Sequence, residues 1–167
     1  MLKTDMDVQN YSKTDHKLFI LNAYLDCVAT LNSHTVSHDF YIEPIYNKGS
    51  LQNSLTEFFI RESIRHSESN HSPFSKLDFT YEPILGWKTQ LNKSLNEWFF
   101  GDDFPISDDY EIVKKNIISK IIDLLESISE YELNLYLLDN SSFDVCYLDY
   151  VVTYQDDYYY LHFSWND

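Results

Sequence analysis

Glycine, cysteine and late positive charge are what this sequence has least of. Three glycines in 167 residues leave no Gly-rich loop able to cradle a phosphate. Two cysteines, Cys27 and Cys146, exclude a disulfide framework. They are expected as two buried free thiols, Cys27 on a helix and Cys146 on the apolar side of a strand. No apolar run approaches the ~18 residues that a membrane span requires. The opening M-L-K-T-D-M-D-V-Q-N-Y-S-K-T-D lacks the apolar core of a secretory signal, which predicts a cytoplasmic protein. Lys and Arg number 12 against 27 acids, for a net charge of −15. That charge argues against nucleic acid or an anionic membrane as a direct partner and favours a basic one, or solubility alone. The imbalance is also uneven. The last fixed cation is Lys120, and ten acids follow it with no Lys or Arg among them.

Aromatic residues are plentiful, with 14 tyrosines, and they concentrate at the C-terminus. Residues 131–165 read as Y-E-L-N-L-Y-L-L-D, F-D-V-C-Y-L-D-Y-V-V-T-Y and Y-Y-Y-L-H-F-S-W, separated by 139–142 and Asp156-Asp157. Alternating β-branched and aromatic residues between polar loops predict a three-stranded antiparallel meander. A turn at Asp156-Asp157 pairs Tyr154 with Tyr159, Val152 with Leu161, Tyr150 with Phe163 and Leu148 with Trp165, all on one apolar face. Leu133, Leu135 and Leu137 join that face, and a slip of one residue would expose the whole set. The opposite face carries Glu132, Asn134, Tyr136, Tyr147, Asp149, Thr153, Tyr158, Tyr160, His162 and Ser164.

The preceding two-thirds read as helical. Asp15 is the expected cap of a helix to about Leu31, with Leu18, Leu21, Leu25 and Val28 on one side. Ser50 caps a second to about Ile64, with Leu51, Leu55, Phe58 and Phe59 inward. Ile84, Trp87, Leu91, Leu95 and Trp98 mark a third, ending at Gly101. Ser107 or Asp108 caps the fourth. Its apolar arc from Ile112 to Ile128 is wide enough to predict the most buried helix, lying on the meander. Segments 40–46 and 77–82 are candidate edge strands, 66–76 is a loop, and 1–14 is expected to be loose. The chain is thus a single α+β domain over 1–167: about four helices followed by a C-terminal antiparallel meander packed on one face by helices.

No catalytic constellation is complete. His34-x-x-x-His38 has helical ligand spacing, but zinc needs three or four ligands and no third is near. His66 and His71 lie among serines without the rigid turn and oxyanion donors of a hydrolase. Asp102, Asp103, Asp108 and Asp109 lack the spacing of a calcium loop and suit helix capping. No cofactor or metal is expected. The outer meander face is the sharper feature: tyrosines give contact area at low entropic cost, and interleaved acids suit Lys and Arg. It yields the candidate partner-binding residues Tyr136, Tyr147, Asp149, Asp156, Asp157, Tyr158, Tyr160 and His162. A helix layer covering this face is the competing expectation, against which Asp149, His162 and Ser164 argue.

Small size, acidity, the absence of a leader or catalytic motif, and the ending Y-Y-Y-L-H-F-S-W-N-D resemble bacterial immunity proteins of polymorphic toxin and contact-dependent growth inhibition systems. The resemblance is one of profile along the whole chain, and no residue role transfers with it. It implies a cytoplasmic protein, not an enzyme, that binds one cognate toxin domain, often a basic nuclease, and blocks it. The other readings are a DNA-mimic or other acidic inhibitor of a host enzyme, an adaptor subunit, and a small enzyme using His162 and Asp149. A monomer or weak homodimer is expected, the dimer through a free edge strand.

Overall fold

In the computed structural model the described residues are 12–33, 36–70, 79–99, 108–139 and 146–166; the side chains of 66–70, 108–110 and 166 are not described. Among these residues the elements run α1 (Lys13–Asn32), β1 (Ser37–Ile45), α2 (Leu51–Asn70), β2 (Thr80–Pro83), α3 (Trp87–Trp98), α4 (Asp108–Ser127), β3 (Asn134–Asp139), β4 (Cys146–Tyr154) and β5 (Asp157–Asn166). The fold is α+β. The meander is there, but β1 adds to β5 and β2 adds to β3, giving a five-stranded antiparallel sheet in the order β1-β5-β4-β3-β2. The two candidate edge strands are therefore real edges. No helix among the described residues is long and apolar enough to cross a membrane.

The β4–β5 register differs from the sequence expectation by two residues. Val152 faces Tyr159, Tyr150 faces Leu161, Leu148 faces Phe163 and Cys146 faces Trp165. The two-residue turn is Gln155-Asp156, not Asp156-Asp157, because Gln155 takes the positive φ of 55° that the tight turn needs. A shift of two preserves side-chain parity, so the apolar face keeps its members. Tyr150, Val152, Leu161 and Phe163 are buried there, while Leu148 and Trp165 at the strand ends are half-buried. Leu133 and Leu135 are buried too, but Leu137, facing Tyr150 near the β2 edge, is 40% exposed.

Three helices pack on this face. Leu21, Leu25 and Val28 of α1, Leu91 and Leu95 of α3, and Ile118, Ile121, Ile122 and Leu125 of α4 form one core with Phe40, Ile42 and the inward residues of β3, β4 and β5. Two tyrosine hydroxyls cross that core: Tyr150 meets Ser94 Oγ at 2.9 Å, and Tyr154 donates to the Leu125 carbonyl. The first half of α4 is less buried than its arc predicted, since Ile112 and Val113 are 59% and 50% exposed.

Helix ends also shift. Ser12 caps α1 and Asp15 occupies the third helical position of a reciprocal capping box, so 13 and 14 are helical. Ser50 caps α2 through the Asn53 N–H as expected, but the helix runs on to Asn70, into the segment read as a loop. Gly86, at φ 65°, makes the turn before α3 and leaves Ile84 outside the helix. The expected α3 stop at Gly101 and the Ser107 cap lie outside the described residues, as do residues 1–11. Cys27 is exposed and Cys146 half-buried, where both were expected to be buried; both cysteines are free.

Both sheet edges are obstructed. The Asn22 side chain on α1 accepts from the Ile42 N–H and donates to the Ile42 carbonyl, each at 2.8 Å, imitating a neighbouring strand. Four residues to one side, the His38 N–H goes to Ser33 Oγ; two to the other stands Pro44, with no N–H at all. On the far edge, Ile84 N–H points inward to Leu135 O, so alternation turns Tyr81 and Pro83 outward, and only Tyr81 has a donor. Neither edge offers a long free template for a second chain. Replacing Asn22 by Ala should lower stability by about 1–3 kcal/mol, because two part-buried backbone groups lose their partners. Urea titration checks this; an unchanged midpoint would show that water satisfies Ile42 equally well.

Candidate functional site

The outer face of the meander is not open. α2 lies across it, and Leu55, Phe58 and Phe59 pack with Ile45, Phe79, Leu138, Val151, Tyr158 and Tyr160 into a second core. Tyr160 is the centre of that contact, with ring centroids 5.0 Å from Phe58 and 6.0 Å from Phe59. The expectation of an exposed interaction face is therefore corrected. Asp149, His162, Tyr160 and Tyr158 are 0%, 3%, 4% and 9% exposed. Tyr136 and Tyr147 are half-buried, and of the eight candidates only Asp156 and Asp157, at the β4–β5 turn, are fully at the surface.

Burial of Asp149 and His162 is made possible by their mutual contacts. β4–β5 pairing sets Asp149 directly opposite His162, and Tyr160 lies two residues along the same face. The Tyr160 hydroxyl donates to Asp149 Oδ2 at 2.7 Å, and His162 Nδ1 approaches Asp149 Oδ1 at 2.6 Å. The tautomer that donates from Nδ1 suits this acceptor-only carboxylate. The Tyr160 oxygen and His162 Nδ1 are 3.1 Å apart, and the Tyr41 ring lies 4.8 Å from the imidazole. A buried carboxylate with two such partners is satisfied, whereas a bare one would be expensive. Asp149 and His162 are thus signals of a hydrogen-bonded buried layer, not of an exposed face. Ser164 lies on the same face, fully buried, and its hydroxyl has no hydrogen-bond partner among the described residues.

The rim of this layer is charged. Glu43 of β1 is raised above the usual carboxylate range by burial and by Glu62, with Arg65 and Arg61 opposing. Glu62 holds Arg65 at 2.9 Å, and Arg61 stacks over Tyr46 and Phe58. Burial, then Glu43 and Asp149, push the Tyr41 hydroxyl well above its ordinary range.

Only part of the metal and hydrolase patterns falls on described residues. His38 stands on β1 opposite Trp165, off any helical face, and burial lowers its pKa. His34, His71, Asp102 and Asp103 lie outside the described residues; His66 falls within α2, and Asp108 and Asp109 in the first turn of α4. Among the described residues no group of three or more His, Cys, Asp or Glu is placed to hold a metal.

A different surface emerges at the other end of the sheet. After α4 the chain turns through Ile128–Leu133, where Tyr131 is 53% exposed. One cleft of about 300 Å³ is lined by Lys13, Lys17, Glu130, Tyr131, Asp157 and Tyr159, among others. A second, of about 270 Å³, is lined by Trp87, Lys88, Glu126, Tyr131, Glu132 and Leu133. Sequence reading counted these acids but did not single out Tyr131. Its signal was the Y-E pair between two helix- and strand-forming runs, each side of which carries a glutamate. Compared with known protein families, curated proteins and solved structures, the chain matches none.

Removing Asp149 should be the costliest single change in the buried layer. Asp149→Ala takes from the imidazole and the Tyr160 hydroxyl the carboxylate they share and should destabilise by about 3–5 kcal/mol; Tyr160→Phe should cost about 1–2 kcal/mol. Equal losses in chemical denaturation would refute the hub role of the carboxylate. Alkaline stability has a definite sign as well. Burial pushes Tyr159 up to about 12, with Asp157 and Asp15 adding to the effect, and pushes Tyr41 and Tyr154 higher still. Unfolded tyrosine ionises near 10, so stability is complete below about pH 10 and is lost as pH rises toward the folded values. Tyrosinate absorbance and circular dichroism should therefore change together above about pH 11. Full ionisation with the fold intact would contradict this.

Proposed function

We propose that this chain is a non-catalytic binding protein that neutralises a cognate basic toxin domain in the cytoplasm by occluding it. The observation that carries the reading is where the late carboxylates lie. Between Ile121 and Asp167 there is no Lys or Arg, and Asp123, Glu126, Glu130, Glu132, Asp139, Asp156 and Asp157 are exposed, while Asp149 alone among the described acids of this stretch is buried. An excess of surface carboxylates accelerates encounter with a partner of the opposite sign and disfavours polyanions. The profile resemblance to immunity proteins supports the same reading. The binding surface differs from the outer meander face expected from the sequence: it runs from the end of α4 to the β4–β5 turn.

One observation favours a second reading. Asp149 and His162 sit at hydrogen-bond distance, as an acid–base pair would. Their burial beneath α2 requires that helix to move before any substrate could arrive, so the first reading is preferred.

The decisive experiment pairs the protein with the product of the adjoining reading frame. Co-expression should protect cells from that product, and the purified proteins should bind. Changing Asp156 and Asp157 together to Asn should slow association and flatten its salt dependence, with dissociation nearly unchanged. Binding kinetics at two salt concentrations test this. A neighbouring product that is harmless and does not bind would remove the proposal.

A further inference from the structure

We infer that α2 is a hinged cover: it opens as one unit from the outer sheet face while the sheet and the α1, α3 and α4 layer stay folded. The inference is independent of the proposed function and concerns access to the buried group of Asp149, His162 and Tyr160.

α2 and α4 are equally long, at 20 residues each, but they hold the sheet unequally. α4 buries Ile118, Ile121, Ile122, Leu124 and Leu125. Among its described side chains α2 buries Leu55, Phe58 and Phe59 with two serines, Ser54 and Ser63, and it turns Ile60 and Ile64 outward, 39% and 53% exposed. Less apolar area leaves water when α2 docks, so less is lost when it lifts. Hydrogen bonding shows the same contrast. The opposite layer is tied to the sheet and to itself over long range: Asn22 to Ile42, Ser94 to Tyr150, the Leu125 carbonyl to Tyr154, and Lys114 to the Asn96 carbonyl. The Ser54 and Thr56 hydroxyls of α2 donate instead to the Ser50 and Gln52 carbonyls of their own helix turn.

The face beneath holds its polar groups without help from α2. Tyr160 and His162 bond Asp149 within β4 and β5, so these contacts persist when the helix lifts. At the rim, docking brings like charges together. The ionised form of Glu43 on β1 is opposed by burial and by Glu62 of α2, with Arg65 and Arg61 acting the other way.

The entry turn supplies the pivot. Asn47 Nδ2 donates to the Asp156 carbonyl at 2.8 Å, and its Oδ1 accepts the Gly49 N–H at 2.7 Å. These bonds fasten the chain to the β4–β5 turn. Gly49 follows at φ 84° in open space, and without a Cβ its φ ranges over values closed to other residues. The Lys48 N–H bond to Ser54 crosses the pivot, and water replaces it on opening. β1 stays behind, because its ladder with β5 runs from Ser37 to Ile45. Opening therefore brings water to Tyr158, Tyr160, Asp149 and His162 in one event.

The test is residue-resolved native-state hydrogen exchange on the full chain, with melting temperature reporting the fold of each variant. Amides of 55–60, in the middle of α2, should be at least roughly ten-fold less protected than those of β4 and β5. Two conservative truncations then separate local from global opening. Phe58→Leu weakens the closed form alone, so it should speed exchange in α2 and in β4 and β5 by one common factor. Ile121→Val, in the core on the opposite face, weakens closed and open forms alike. It should speed β4 and β5 by roughly two- to ten-fold and leave α2 unchanged. Protection of α2 equal to that of β4 and β5, or acceleration of α2 by Ile121→Val, would show that the helix leaves only with the whole fold. Exchange in α2 indifferent to Phe58→Leu would show fraying of a helix that stays docked. Any of these results would overturn the inference.

Discussion

The interaction on which the rest depends is the pairing of β5 on both of its edges. β4 supplies one neighbour through a two-residue turn, a local event. β1 supplies the other from the opposite end of the chain, running from Ser37 against Asn166 to Ile45 against Tyr158. Without β1, β5 would be an edge strand with tyrosines on both faces, which is an aggregation hazard. With it, β5 is central, and the hazard moves to β1, where Asn22, Ser33 and Pro44 contain it. The same pairing places α1 on one face and leads the chain over to α2 on the other, so both layers follow from one long-range ladder. Closing so large a loop before any reward should make folding slow for a chain of this size.

A sheet covered on both faces demands burial on both, and the two faces answer differently. The α1–α3–α4 side is apolar almost throughout, relieved by the hydroxyls of Tyr150 and Tyr154. The α2 side is built around a polar layer whose members satisfy one another across β4 and β5. Asp149 accepts, Tyr160 and His162 donate, and Phe58 and Phe59 seal the arrangement from above. Such a layer adds little net stability compared with an apolar one, but a displaced register would break up its present set of contacts. It thereby penalises the two-residue slip that apolar parity alone tolerates. In the slipped register Asp149 would face Ser164 rather than His162. The apolar face tells the strands which side is in; the polar layer distinguishes between registers that both satisfy that rule.

This explains what was legible in the sequence and what was not. Strand and helix identities, the parity of Tyr150, Val152, Leu161 and Phe163, and the inward side of α2 all follow from local periodicity. Which side of the sheet α2 would cover does not, because Leu51, Leu55, Phe58 and Phe59 read the same against either face. The polar residues Asp149, His162 and Ser164 looked like solvent contacts when taken singly. Only the correct register turns two of them and Tyr160 into one satisfied group. The turn itself was displaced because Asp156-Asp157 has the more usual turn composition, whereas tertiary pairing places Gln155 at positive φ. The Tyr131 clefts were harder still. Their walls come from α1, α3, the α4–β3 link and β5, and no short stretch of sequence contains more than one side of them.

The acids of the last third consequently divide into two populations with separable consequences. Asp149 belongs to folding: its partners are internal, and its loss would appear first in stability. Glu126, Glu130, Glu132, Asp156 and Asp157 are exposed at the helix end, the link and the turn, where screening by water and salt makes their contribution to stability small. Part of that charge is met within the fold, since Glu126 pairs with Lys88 and Lys13 and Lys17 line the cleft that holds Glu130 and Asp157. The remaining excess of carboxylates is what the proposed reading assigns to a basic partner, whose approach their field would favour. On the same reading Tyr131, exposed beside those carboxylates, would add an apolar contact that charge alone lacks.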